Sequence, residues 1–434
     1  MHTISLTDGT TTITLTSGSY LVTEYAMTTA GAAAQPEATV TESMELLVTG
    51  ANTGALRDNW RAVEALLELA ALRQRSGVGA RVWLQVLLHG EATTWRSEIV
   101  SAKLEPERAI AAYSRLKAPA TLAFERKAFW EEASETELQL SATGQAAATG
   151  GRVIYNRIND NWAQIAAAQI GGTLPAAIRL RIKNTSAGAL TAPIVYAAVN
   201  AFSDPANFAH ILEGEAAASG GSTQAVTGTS GGNVRRFALT TTAQSGRWTI
   251  PAATLQDTAG RPVRILLLAN DITAGGVYVS ARLCYSTSET AITQTDEVYI
   301  ASAGRQVVDL GAIPLPPGNV GASYSDLSLR LYMRTATGTS TFDLDFIQLT
   351  PVDSFRRYSM VVSTTLAVND SFVDDGMAEL LYIDGAITVP MLVAAGAPLR
   401  LWPGRINRIL LLSNQISSTY GEVRVYYRAR KASL

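Results

Sequence analysis

Between Pro175 and Pro351 the chain carries nine short stretches of strand character, each closed off by turn residues. Among them are "AAIRLRIKNTS", "IVYAAVNAF", "VRRFALTTT", "PVRILLLAND", "VYVSARLCYS" and "TFDLDFIQLTP". Strands this short and this closely spaced predict two antiparallel sheets packed face to face, a jelly-roll-like β-sandwich over residues 174–352. The length of 434 residues exceeds one ordinary core, so two or three domains, or one large β body with an insertion, are expected. Hydrophobic residues at 47% can fill such cores, and charged residues at 17% leave a surface rich in Thr, Ser, Ala and Gly.

The first 150 residues read differently. Strands alternate through "TTTITLTSG", "SYLVTEYAM" and "TESMELLVTG", and then one helix interrupts them. In "NTGALRDNWRAVEALLELAALRQRSG" the residues Leu56, Trp60, Val63, Leu67 and Ala70 step by three and four, which draws one apolar stripe. Asn52 or Thr53 can cap its start and Gly77 can end it. Strands resume in "ARVWLQVLLHG", "TTWRSEIVSAKLEP" and "ATLAFERKAFWEEASETELQLS", so this region is expected to be an α+β domain. "ATGQAAATGG" marks a linker, and residues 151–173 are expected to hold a short helix over Asn161–Ala168. Residues 353–434 supply further strands. The expected fold class is therefore mainly β.

Charge excludes some functions. With 35 basic and 37 acidic residues the net charge is −2, and no field of one sign points to nucleic acid or an anionic membrane. Cys284 is the sole cysteine, which rules out an intrachain disulfide; a strand would simply bury it. The start "MHTISLTDGTTTITL" is polar and alternating, and no apolar run approaches the ~20 residues of a bilayer span. A soluble chain made in a cytoplasm, with no membrane insertion, is expected.

Candidate chemistry is sparse. In "AFWEEASE" the adjacent Glu131 and Glu132 follow Trp130. On a strand they point to opposite faces, which is the wrong geometry for an acid/base pair across a glycosidic bond. They are expected on a solvated rim beside a buried Trp130. No G-x-S-x-G, C-x-x-C or H-E-x-x-H occurs, and His2, His89 and His210 lie scattered, so neither catalytic nor metal-ligating residues are expected. "SGG" at Ser219 and at Ser230 reads as loop. Gly50 and Gly54, between a strand and the helix, could cradle an anion, but no lysine follows. "FDLDF" puts Asp343 and Asp345 two apart on one strand, either an exposed acid pair or part of a calcium site. Tyr278, Tyr285, Tyr299, Tyr324 and Trp248 are available for stacking on sugars or for the core. Arg405 and Arg408 in "LWPGRINRILLL", with the cations of "RVYYRARK", read as a subunit interface or a salt-bridged edge rather than a nucleic-acid contact.

The order "ESMELLVTG", helix with Trp60, "ARVWLQVLLHG", "TTWRSEIVSAKLEP", "ATLAFERKAFWEEA" resembles the belt domain of the distal tail proteins of siphophages. The late "PLRLWPGRINRILLLS" and "VRVYYRARK" are similar to the closing segment of such tail proteins. The resemblance covers residues 1–150 and 354–434. It implies a belt-like α+β domain, completed or packed upon by residues 353–434, with a galectin-like or carbohydrate-binding-like sandwich attached or inserted. It implies a homo-oligomeric, hexameric ring in the virion, assembled in the host cytoplasm. The implied partners are the tail tube protein, the tail-tip hub or baseplate proteins and a host-surface glycan. No cofactor and no enzymatic activity are implied. A tail tube protein with a decorating domain and a glycan-binding adhesion module are the alternatives.

Overall fold

The computed structural model describes residues 2–27, 38–106, 116–157, 160–191, 194–202, 211–251, 261–315, 326–360, 365–384, 392–414 and 421–434. Tyr324 and His210 lie outside the described residues. The fold is mainly β, and the chain divides into two compact units. The first comprises Met1–Thr136, Gly171–Pro175 and Arg428–Leu434, and the second Glu137–Ile170 and Ala176–Tyr427. Residues 353–427 thus go with the second unit, and only the last seven residues of the C-terminal segment join the first.

The first unit contains β1 (Thr3–Thr7), β2 (Thr12–Thr14), β3 (Tyr20–Tyr25), β4 (Thr39–Thr49), α1 (Thr53–Ser76), β5 (Val82–Leu87), β6 (Thr94–Pro106), β7 (Lys117–Lys127) and β8 (Trp130–Glu132). They form one sheet in the order β2-β1-β5-β6-β7-β4-β3, with β8 beside β6 and the final strand, Arg430–Lys431, beside β8. Leu15 donates to Ile4 and accepts from Val22, so the two ends of this order are tied together and the sheet curls back on itself. β4 and β7 alternate strictly between buried and open positions, as a sheet with one covered face requires. The cover is α1, which packs on β4 and β6 with Leu56, Val63, Leu66, Leu67 and Ala70 inward. Its limits match the sequence: Asn52 accepts from the Ala55 N–H at 2.8 Å, and Gly77, at φ 69°, donates to Arg73. Trp60 is only half buried and donates its indole N–H to Glu64.

In the second unit the main strands are β9 (Trp162–Ile165), β10 (Ala176–Lys183), β11 (Ile194–Phe202), β12 (Ile211–Glu213), β13 (Asn233–Leu239), β14 (Gln244–Pro251), β15 (Pro262–Ile272) and β16 (Val277–Tyr285). They continue with β17 (Gln306–Pro314), β18 (Asp326–Thr335), β19 (Ser340–Pro351), β20 (Phe355–Met360), β21 (Ser371–Asp375), β22 (Ile406–Ser413) and β23 (Gly421–Tyr427). Where a helix was expected over Asn161–Ala168, β9 pairs with β22 and only Ala167–Gln169 form a 3-10 turn. The alternation that buries Ala163 and Ile165 against a waiting partner strand outweighs the local helix preference.

Four sheets stack. The outermost holds β23-β10-β21, and the next β9-β22-β11-β20. These two meet through Tyr358, whose ring lies 5.1 Å from that of Phe372 and whose hydroxyl donates to the buried Asp374. The third sheet holds β13-β19-β15-β17, and the fourth β14-β18-β16. Trp248, Leu267, Leu283, Leu331 and Ile347 share the core between them. The middle interface, between the second and third sheets, is filled by Tyr196, Ala198, Phe355, Leu410 and Leu412 against Leu266, Leu268 and Phe346.

The region expected to be one sandwich over 174–352 is therefore two. β10 and β11 belong to an outer sandwich, and residues 211–351 form an inner one. The inner sandwich is inserted between β11 and β20, which are neighbours in one sheet: Ala198 pairs with Phe355. The second unit is itself inserted into the first, between β8 and the final strand, which are also neighbours: Glu131 pairs with Arg430.

Candidate functional site

The "WEE" motif comes first. Trp130 is buried under the Arg126 guanidinium, 4.4 Å from its ring centroid. Glu131 is not on a solvated rim. It is buried, takes Arg96 Nη2 at 2.9 Å and Nε at 3.2 Å on Oε1, and Arg430 at 3.3 Å on Oε2. A carboxylate between two arginines from different strands is a clasp, holding the final strand to β8. Glu132 is directed elsewhere, and burial raises its carboxyl above the usual range. The two acids have different partners and do not converge. Glu131→Ala is expected to cost about 3 kcal/mol, because it leaves two arginines uncompensated. Early hydrogen exchange at Arg430 and Lys431 is the measurement.

The other candidates resolve similarly. The Cys284 thiol is buried, and burial raises its pKa. His89 is an exposed turn residue whose N–H donates to His2 Nδ1. Gly50 is needed for packing: a Cβ there would stand 2.3 Å from the Leu56 nitrogen. Arg408 is stacked on Trp162 at 4.2 Å and bonded to Gln164, and burial lowers its pKa to about 10. It is half-buried against the Trp162 and Phe202 rings.

Trp248 is in the core, with its indole N–H donated to the Glu213 carbonyl at 2.9 Å. The tyrosines divide otherwise. Tyr278 and Tyr299 lie on the outer face of the fourth sheet with ring centroids 5.0 Å apart, and Tyr299 is 54% exposed. Arg334 covers Tyr278 and Arg282 covers Tyr332, each at 4.3 Å. This is a tyrosine–arginine face.

"FDLDF" gives the least expected result. Both aspartates are buried. Asp343 takes a two-pronged bond from Arg236, at 2.7 and 2.6 Å. Asp345 is fully buried, and a β-bulge isolates it: Phe346 pairs with Leu268 and Leu344 with Ala269, so Asp345 is the extra residue. The strand on its other flank is broken at the same point. β12 pairs with β19 from Phe346 onward, and β13 pairs only as far as Leu344. Two loops fill the break. The 3-10 turn Gly214–Ala216 brings Glu215 beside Glu213, and the turn Ser230–Gly232 donates the Ser230 N–H to Asp345 Oδ1 at 2.9 Å. Ser230 Oγ also donates to Glu213 Oε1 at 2.8 Å. The expected loop at Ser230 is thus a buried turn, while Ser219 is exposed. Burial first, then Glu213 and Glu215, push the Asp345 carboxyl up to about 7, against the Ser230 bond and Arg305. Among the described residues no three His, Cys, Asp or Glu side chains come together so that they could hold a metal ion, Glu213, Glu215 and Asp345 included.

No family model matches the chain and no curated protein does. Similar solved structures include the phage p2 baseplate in its activated conformation with Sr, at TM-score 0.30 and 8% identity over 100% of each chain. The same baseplate with Ca aligns at TM-score 0.23 and 9% identity, over 77% of this chain and 99% of that one. An exo-β-1,3-galactanase from Phanerochaete chrysosporium, with galactose, aligns at TM-score 0.21 and 11% identity, over 71% of this chain and 54% of that one.

Proposed function

We propose that the chain is a structural component of a phage tail, a distal-tail-type protein that forms a ring at the tail tip and links the tube to the host-recognition apparatus. It works by association rather than by making or breaking bonds. The observation that carries this reading is the first unit: one curled sheet with one covering helix, built from both ends of the sequence and carrying the rest of the chain as an insertion. Its last strand in sheet order, β3, shows exposed Leu21 (41%) beside exposed Met27 (39%). A hollow of about 200 Å³ lined by Ile4, Val22, Tyr25, Met27 and Val86 adjoins them. A neighbouring copy seated over Leu21 and Met27 would cover that apolar surface, and head-to-tail contacts of that kind close into rings. The ring would be hexameric, and its further partners would be the tail tube and the hub or baseplate proteins.

Electron microscopy and mass photometry of the purified chain test this. Discrete rings are expected, and replacing both Leu21 and Met27 with Glu should dissolve them. A stable monomer at high concentration would remove the proposal.

The tyrosine–arginine face of the fourth sheet favours a second role, adhesion to a host-surface glycan. A glycan array with the intact chain, repeated with Tyr299→Ala, decides it. Equal binding by both proteins, or none by either, counts against this face.

A further inference from the structure

We propose that the outermost sheet binds one neutral sugar ring, in a hollow lined by Arg181, Asp384, Tyr382 and Tyr426. This sheet leaves one face uncovered. On β10 the buried Ile178, Leu180 and Ile182 alternate with the half-buried Arg179, Arg181 and Lys183. On β23 Val423, Val425 and Tyr427 are buried, and Glu422, Arg424 and Tyr426 are half-buried. The register aligns the open positions. Arg179 lies opposite Tyr426 and Arg181 opposite Arg424. On the other flank Arg181 lies opposite Val373, and Val373 opposite Tyr382 of the strand Leu380–Ile383. Residues opposite one another across strands share a face, so polar side chains and two tyrosines gather on this one.

The hollow between them measures about 160 Å³, and the nearly buried Val373 supplies the apolar part of its lining. The Arg179 guanidinium stacks on Tyr426, 4.3 Å from the ring centroid, which fixes both side chains. Tyr382 is different. Among the described residues no ring or guanidinium stacks on it and nothing bonds its hydroxyl, although it is half-buried. Its ring is left for the apolar C–H face of a pyranose. Arg181 Nη2 donates to Asp384 Oδ2 at 2.7 Å. That bond uses only part of the guanidinium fork and one oxygen of the carboxylate. The two side chains are 32% and 48% exposed. A donor and an acceptor therefore stand side by side at the mouth. Adjacent sugar hydroxyls need that pairing, because each hydroxyl both donates and accepts.

Size and charge narrow the ligand. Drug-sized molecules occupy pockets of roughly 300 Å³ and upward, so this hollow suits a single ring. The charges on the face are matched. Arg181 is bonded to Asp384, Arg179 stands opposite Asp375, and Arg424 lies 3.3 Å from Glu422 and 3.8 Å from Glu137. A phosphate or an acidic polymer calls for cations in excess, whereas a polyol calls for fixed donors and acceptors with little net field. The proposal shares with the adhesion reading only the class of ligand. The place is another sheet, in the outer sandwich rather than the inner one.

The intact chain is titrated with the methyl glycosides of glucose, galactose, mannose, rhamnose and N-acetylglucosamine, by calorimetry and by saturation-transfer NMR. At least one should bind saturably in the millimolar range, with transfer concentrated on the C–H protons of one ring face. Tyr382→Ala and Asp384→Ala should each weaken that binding about 10-fold. Tyr382→Phe keeps the ring and should stay within about 3-fold of the native chain. Asp384 is exposed, so its replacement leaves the sheet folded even if Tyr382→Ala does not. Tyr299→Ala should change nothing at this site. Loss of binding in the Tyr382 and Asp384 variants alone supports the proposal whatever becomes of the fourth-sheet face. The proposal fails if no glycoside binds at tens of millimolar, or if glucuronate or inorganic phosphate binds more tightly than every neutral glycoside. It also fails if Tyr299→Ala abolishes binding that Tyr382→Ala and Asp384→Ala both retain, an outcome that leaves the adhesion reading standing.

Discussion

Replacing Glu42 with alanine is expected to destabilise the first unit by about 3–5 kcal/mol, a large part of a typical domain's margin of about 5–15 kcal/mol. Glu42 on β4 and Arg126 on β7 face each other with no side-chain exposure at all. Their bonds are two-pronged, Nε to Oε2 at 2.8 Å and Nη2 to Oε1 at 2.6 Å. Tyr25 donates its hydroxyl to the same Oε2, and burial with the Glu42 charge raises the tyrosine pKa, so that proton stays in place. Removing the acid leaves a guanidinium without its counter-charge under Trp130 and a tyrosine without its acceptor. Removing both charges, as Glu42→Met with Arg126→Met, should recover most of the loss, because the desolvation cost disappears with them. Denaturant unfolding followed by tryptophan fluorescence measures both. A single-variant loss under about 1 kcal/mol would show that the pair is not what holds β4 to β7.

Excising the inner sandwich, by joining β11 to β20 through a short turn, is expected to leave an insoluble or aggregating protein. The register favours the deletion, since Ala198 already pairs with Phe355. The packing forbids it. Tyr196, Phe355, Leu410 and Leu412 would pass from full burial to water. At about 1.5–3 kcal/mol each, the loss is roughly 6–12 kcal/mol, comparable with the whole stability of a domain. The exposed patch would also be contiguous, which favours aggregation. Changing those four residues to polar ones in the same excision should rescue a soluble outer sandwich. Size-exclusion chromatography of the two shortened chains is the test. If the unmodified excision is a soluble monomer, the middle interface is not a core.

The sequence was legible where one face of an element meets water. α1 could be read from Leu56 to Ala70 because its polar side stays polar, and its limits follow from Asn52 and Gly77. β4 and β7 alternate for the same reason. The second and third sheets are covered on both faces. In "IVYAAVNAF" and "FDLDFIQL" nearly every residue is therefore buried, and alternation no longer says which side is which. That is why two sandwiches read as one. Glu131 was misplaced for another reason. Its partner Arg430 lies 299 positions away, and no local pattern announces it. Asp345 was hidden by the bulge, which shifts the two-residue period at that position. Glu213, Glu215 and Ser230 carried no motif; the one available signal was two acids flanking a glycine in "LEGEA".

The pairing of β8 with Arg430–Lys431 also fixes a sequence of events during synthesis. The ribosome makes β8 about three hundred residues before the strand that pairs with it. The first unit cannot finish until about three hundred intervening residues have been translated, and a contact of that span is slow to form. A prematurely terminated chain would carry Glu131 with Arg96 but without Arg430. Such a chain lacks one arm of the clasp in the very unit proposed to assemble.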